Sequence, residues 1–374
     1  MKHVDEYRDA ARCRLLIEQI RQTVTTPRTL MEVCGGQTHG LLAHGIDEAL
    51  RDSVQLLHGP GCPVCVTPAE VIDQAIELAL RPDVLVTSFG DMLRVPGSRE
   101  SLQQCRARKG QVQLVYSPLD AVKLAEQFPD KQVVFLAVGF ETTVPATALA
   151  IKQATEKNLG NFSLLVSHVR VQPAMELIMQ DRDCMVEGFL AAGHVCTVTG
   201  YERYFNFVDR FHVPVVITGF EPADLLTGIL ECLRKIESGT PTVVNRYERS
   251  VRPEGNVTAV QLMEQVYEEC DQLWRGIGVI PQGGLQLRET YLEFDARHRF
   301  SLCTSGSASD SEADYRCRAG EVLIGRLSPP DCECFGKECT PLSPLGAPMV
   351  STEGACAAYY RHAASRGEPG RAST

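Results

Sequence analysis

The chain has 374 residues, 44% of them hydrophobic and 22% charged, with a formal net charge of −10. That length supports two or three domains with cores of their own, and such a composition excludes a largely disordered chain. An acidic balance without a Lys/Arg cluster excludes nucleic acid as the main partner, and the longest apolar run, Val133 to Val138, is far too short to cross a bilayer.

The first 25 residues read as a helix without a signal-peptide core, so a cytoplasmic protein is expected. From about residue 29 to 240, short apolar runs alternate with stretches of helical period. Strands are predicted at 29–33, 54–57, 83–88, 112–115, 133–138, 163–166, 195–198 and 214–218. Helices are predicted at 38–50, 69–80, 119–127, 145–156 and 221–236. Strand then helix, repeated, predicts α/β architecture with two doubly wound parallel-sheet, Rossmann-like units, over 26–130 and 131–240. Gly139-Phe140-Glu141 and Gly219-Phe220-Glu221, each just beyond an apolar strand, suggest that the two units arose by duplication. Past residue 240 the pattern changes. One helix is expected over 257–274, then a Ser-rich segment at 301–311, a Gly/Pro-rich cysteine frame, and a disordered tail over 363–374. Residues 241–374, with the N-terminal helix, form a loop-rich third domain that needs a metal staple to fold.

Fifteen cysteines in a reducing compartment are not a disulfide framework. Isolated Cys13, Cys105, Cys184, Cys196, Cys232, Cys270 and Cys303 read as buried small hydrophobes. The others cluster in three motifs. Cys34-Gly-Gly-Gln-Thr-His39 lies between a strand and a helix, where oriented N–H groups and the helix dipole favour a thiolate; the alternative is a tight turn capped by Thr38. Gly59-Pro-Gly-Cys62-Pro-Val-Cys65 has the spacing of a dithiol redox centre or half of a zinc site, with His58 upstream as a base or a strand-end polar residue. The third is Cys317, Cys332, Cys339 and Cys356, spaced C-x14-C-x6-C-x16-C, with Cys334 as a fifth candidate. Zinc ligands come in close pairs, and ferredoxin ligands are more tightly spaced than this. A [4Fe–4S] cluster or a structural zinc ion both remain open on spacing alone. Gly320 to Leu327 imitates a phosphate-binding loop but has Arg326 and Leu327 where Lys and Ser/Thr must stand.

Together these motifs resemble the hydrogenase maturation factor HypD family. The resemblance runs through Cys34–His39, Gly59–Pro68, Gly139–Thr143, Gly219–Pro222 and Phe335–Pro341, in order and over nearly the whole chain. It implies assembly of the Fe(CN)2CO unit of [NiFe]-hydrogenase, on a scaffold shared with a small HypC-like chaperone and with cyanide from a HypE-like partner supplied by HypF. It implies that Cys34 is the iron ligand, that Cys62 and Cys65 are a redox-active dithiol, and that Cys317, Cys332, Cys339 and Cys356 hold a [4Fe–4S] cluster feeding electrons to it. Gln37 stands where some members have His, which makes His39 the expected helper. Glu141 and Glu221 are expected either to orient donors around the cleft or to cap the following helices. The rival reading is an iron–sulfur-dependent thiol–disulfide oxidoreductase in which Cys34 is structural.

Overall fold

The computed structural model describes residues 5–302 and 316–363. Cys303, most of the Ser-rich segment and the tail from 364 lie outside the described residues.

The predicted α/β architecture is present, as two sheets. The first holds β1 (Arg28–Glu32), β2 (Val54–His58), β7 (Gly188–Ala192), β8 (Val215–Thr218) and β9 (Val243–Asn245), all parallel, in the order β2-β1-β7-β8-β9. The second holds β3 (Val84–Ser88), β4 (Val112–Leu114), β5 (Gln132–Gly139) and β6 (Phe162–Val169) as parallel neighbours. It is extended by an antiparallel hairpin of β10 (Tyr267–Trp274) and β11 (Gly278–Leu287), giving β10-β11-β6-β5-β3-β4. The central strands are mostly apolar, as expected of parallel strands buried on both faces; β6, β7 and β8 are buried at every residue.

The sheets do not divide the chain at residue 130. The chain lays down β1 and β2, leaves through the helix Ala69–Ala79 to build β3 to β6, and returns through the helix Val171–Gln180 to complete the first sheet. A linear reading of strand–helix repeats assigns neighbours in sequence to the same sheet, and here they are not. Three element assignments also change. Residues 195–198 are helical, within Gly193–Thr199; the strand precedes them as Gly188-Phe-Leu-Ala-Ala192. The expected helix over 257–274 ends at Val266, and Tyr267–Trp274 becomes β10 because its residues alternate in burial and pair with β11. The expected helix over 38–50 is two, α2 (Gly35–Ala43) and Ile46–Ala49, parted at Gly45, whose φ of 64° is left-handed.

The N-terminal helix, α1 (Ala10–Thr23), buries Ile20 against the long helix Pro222–Glu237. The described C-terminal part, 316–363, has short helices, turns and a final helix Ala355–Ala363 packed on α2. No helix among the described residues is long and apolar enough to cross a membrane.

Candidate functional site

Loops leaving the carboxyl ends of parallel strands are where such sheets gather ligands. In the first sheet, four of them converge on Cys34. After β1, Cys34 takes an extended backbone (φ −153°) as the cap of α2, and its carbonyl accepts the N–H groups of Gln37 (2.9 Å) and Thr38 (3.0 Å). The loop after β2 lies directly on it. Gly59 N–H donates to the Glu32 carbonyl (2.8 Å), and Gly35 N–H donates to the Gly61 carbonyl (3.0 Å). A Cβ on Gly61 would stand 2.2 Å from the Cys34 nitrogen, so only glycine lets the two loops touch. From beyond β7, His194 brings Nδ1 to 3.6 Å from the Cys34 sulfur, and from beyond β8 the Phe220 ring lies 5.4 Å from that imidazole.

The Cys34 side chain is buried. Burial first, and the Glu32 carboxylate second, push its thiol pKa far up, outweighing the N–H groups of Gln37 and Gly36. Against the expectation of a thiolate favoured by the helix start, burial keeps the thiol protonated. Burial likewise holds His194 neutral, with its pKa lowered to about 4.

Glu32 organises the cluster from inside the sheet. Fully buried, it accepts the Cys34 N–H (2.7 Å) on one oxygen, and the Thr38 hydroxyl and His58 Nδ1 (2.8 Å) on the other. His58 Nε2 in turn lies 3.1 Å from the Tyr359 hydroxyl, tying the C-terminal helix to the edge of the first sheet. Losing the carboxylate would strand an amide, a hydroxyl and an imidazole, at a cost of about 1–3 kcal/mol. Sequence reasoning missed Glu32; its signal was a carboxylate inside the apolar run Thr29–Val33, where charges are rare unless paired. Gln37 is also fully buried and donates to the carbonyls of Ala191 (3.1 Å) and Thr218 (3.4 Å), fastening α2 to β7 and β8. His39, the expected helper, is engaged by His362 of the C-terminal helix at 3.3 Å; the histidine at the Cys34 sulfur is His194.

Cys62 and Cys65 are buried and joined by a disulfide, with a Cα–Cα distance of 5.3 Å, in the turn before the helix Ala69–Ala79. Cys65 lines one wall of a cavity of about 720 Å³ whose other walls include Trp274, Arg275 and, from the terminal frame, Cys317 and Gly346.

Cys317, Cys332, Cys334, Cys339 and Cys356 all line one small cavity, walled by apolar Phe335, Leu345 and Met349. Burial raises the Cys317 pKa to about 11, and burial raises that of Cys356 well above the ordinary range, with Cys317, Cys339 and Cys332 adding to it. A backbone N–H, from Leu345, donates to the Cys339 sulfur at 3.5 Å. A Cβ on Gly346 would lie 2.2 Å from the Cys317 sulfur, so this residue leaves the sulfur its space. Cys334 differs from the other four in pairing with Arg316, whose guanidinium reaches its sulfur at 3.8 Å. Among the described residues, no three Cys, His, Asp or Glu side chains converge tightly enough for a single metal ion; these sulfurs ring a cavity instead.

The acidic candidates are not brought to Cys34. Glu141, beyond β5, is buried in a different cavity with none of the candidate cysteines on its walls. Glu221 is taken up by an ion pair with Arg8. Of the isolated cysteines within the described residues, Cys105, Cys196 and Cys232 are buried, while Cys13, Cys184 and Cys270 are half-buried.

A family model described as "Hydrogenase formation hypA family" and named HypD matches residues 11–363. The chain belongs to the HypD family. It is 41% identical to the hydrogenase maturation factor HypD of Rhodobacter capsulatus, with 98% of this chain and 99% of that protein aligned. It is 45% identical to the hydrogenase expression/formation protein HupD of Azotobacter chroococcum, over 98% of each chain. The HypD of Escherichia coli K12 is 41% identical, over 97% of this chain and 98% of that one. These HypD-family matches cover both sheets and the terminal cysteine frame, so the resemblance extends beyond the Cys34 loops.

Proposed function

We propose that this HypD-family chain is the scaffold and redox catalyst on which the Fe(CN)2CO unit of [NiFe]-hydrogenase is assembled. The observation that carries this is the interlocking of two cysteine loops at one sheet edge, with Gly35 N–H bonded to the Gly61 carbonyl between Cys34 and the Cys62–Cys65 pair. This contact supports reading Cys34 as a metal-binding thiol and the neighbouring pair as a two-electron thiol couple of the same site.

In this reading the iron is cargo. Cys34 holds it as a soft thiolate donor suited to low-spin iron carrying cyanide and carbon monoxide, together with the N-terminal cysteine of a HypC-like chaperone. Neutral His194, 3.6 Å from the sulfur, can hydrogen-bond the thiol or the bound thiolate according to its tautomer. Cyanide arrives as a thiocyanate on a HypE-like partner, itself supplied by HypF. Its carbon–sulfur bond breaks on taking two electrons and two protons, giving the partner thiol and hydrogen cyanide. The reduced Cys62/Cys65 dithiol has both to give, and closing the disulfide balances the step.

Cys317, Cys332, Cys339 and Cys356 suit a [4Fe–4S] cluster: four thiol donors ring an apolar cavity, and Cys334 is taken up by Arg316. Bound there, a cluster supplies single electrons. Cys65 and Cys317 share the walls of one cavity, which supports reduction of the disulfide from the frame.

Complementation tests this. In a host lacking its own HypD-family protein, the wild-type chain should restore hydrogenase activity, and Cys34→Ala should abolish it while the purified variant keeps its circular dichroism spectrum. Full activity with Cys34→Ala would remove the iron from this site and leave a thiol–disulfide oxidoreductase.

A further inference from the structure

Gly139-Phe140-Glu141 is used by none of the chemistry above, yet it ends a central strand of the second sheet in a built cavity. Glu141 is 4% exposed. One of its oxygens accepts the Val171 N–H (3.3 Å) at the start of the helix Val171–Gln180, which fixes the direction of the carboxylate. The other has no partner among the described residues. Glu141 is one of the residues lining a cavity of about 330 Å³, within the range that holds small ligands.

Apart from the exposed Glu264 carboxylate, which has no ion pair among the described residues, the other charges on that wall are committed. Arg170 is held by Glu269 and the Gln282 carbonyl, and Arg288 by the Glu264 and Tyr267 carbonyls and by Glu268. Arg203 is different: its guanidinium has no hydrogen bond or ion pair among the described residues; burial raises the Glu141 pKa, and the Arg203 charge opposes that shift. Val260, Met263 and Leu285 supply an apolar side. A buried, half-used carboxylate and an uncommitted guanidinium thus face one cavity. A simple anion would satisfy Arg203 against the repulsion of Glu141, and a simple cation would do the reverse.

We propose that this cavity binds a small α-amino-acid-like zwitterion, its ammonium on Glu141, its carboxylate on Arg203 and an aliphatic side chain against Val260 and Met263. The site is separate from Cys34 and its occupancy does not depend on the assembly reading.

Titration calorimetry on the full chain tests it with glycine, L-alanine, L-valine and L-leucine, and with N-acetyl-L-valine and L-valine methyl ester, each of which lacks one charge. The expected result is saturable one-to-one binding of at least one free amino acid and at least about tenfold weaker binding of both blocked forms, since each loses a charge-assisted contact. Glu141→Gln, which keeps the bond to Val171, and Arg203→Gln, at a half-buried helix position, should each weaken binding by a similar factor with unfolding temperature unchanged. If Glu141→Gln fails to fold, Arg203→Gln alone decides. No saturable heat at millimolar amino acid, blocked forms binding as well as free ones, or wild-type affinity in Arg203→Gln would overturn the proposal.

Discussion

The two cysteine regions are held in opposite ways. Around Cys34, every backbone turn is fixed by sheet geometry: β1, β2, β7 and β8 deliver their loops to one edge, and Glu32, Gln37 and His58 lock them from within. Around Cys317 to Cys356 the chain has short helices and turns, and the sulfurs line one cavity. The first region is pre-organised by the fold; in the proposed reading the second is completed by a bound cluster. On that proposal one region exchanges cargo and the other retains a cofactor.

That contrast breaks most visibly if the frame stands without its thiols. Replacing Cys339 and Cys356 together by Ala should remove iron and sulfide from the anaerobically purified protein and open 316–363 to limited proteolysis, with both sheets still melting cooperatively. Retained protection would show that the frame folds by packing alone.

Acid should act on the sheets. His168 is fully buried between the Thr147 hydroxyl (3.0 Å) and the Gly139 carbonyl (3.4 Å), and burial lowers its pKa from 6.5 to about 4. The unfolded chain therefore takes up this proton first as pH falls. The stability is complete above pH 6.5 and is lost progressively toward pH 4, on the order of 3 kcal/mol. Urea unfolding across this window should show the slope, and His168→Gln should flatten it.

Glu32→Gln should cost about 2 kcal/mol in the same assay, because it weakens the ionic acceptor for three buried donors at once. A loss confined to maturation, with stability unchanged, would make Glu32 a chemical participant and not a positioning residue. The smallest effect is expected at the junction. Tyr359→Phe removes the hydroxyl facing His58 and should lower stability by about 1 kcal/mol, with faster amide exchange in the helix Ala355–Ala363 and none in β1.

Much of the fold was legible because β1 to β6 are apolar runs bounded by loops, a pattern that parallel strands share. What was lost has local causes. Val195-Cys-Thr-Val198 is rich in β-branched residues but starts a helix, since the preceding Gly188–Ala192 already crosses the sheet. Tyr267–Trp274 contains helix-compatible residues, and its pairing with β11 is a tertiary fact. At the site, Cys34, Cys62 and Cys65 were evident from their glycines and spacing, and His194, in Ala-Gly-His-Val-Cys-Thr-Val near a strand end, was legible as a residue able to line the cleft. Glu32, hidden in an apolar strand, and the engagement of His39 by His362 across the fold depend on partners 26 and 323 residues away in sequence.

The central claim is that Cys34 seats an iron carrying cyanide and carbon monoxide. Infrared spectroscopy of the chain, co-purified anaerobically with its HypC-like partner from cells making all the maturation proteins, tests it most directly. Cyanide and carbonyl stretching bands should appear with the wild-type chain and vanish with Cys34→Ala while the partner still co-purifies. Bands absent from the wild-type complex, or undiminished in Cys34→Ala, would contradict it.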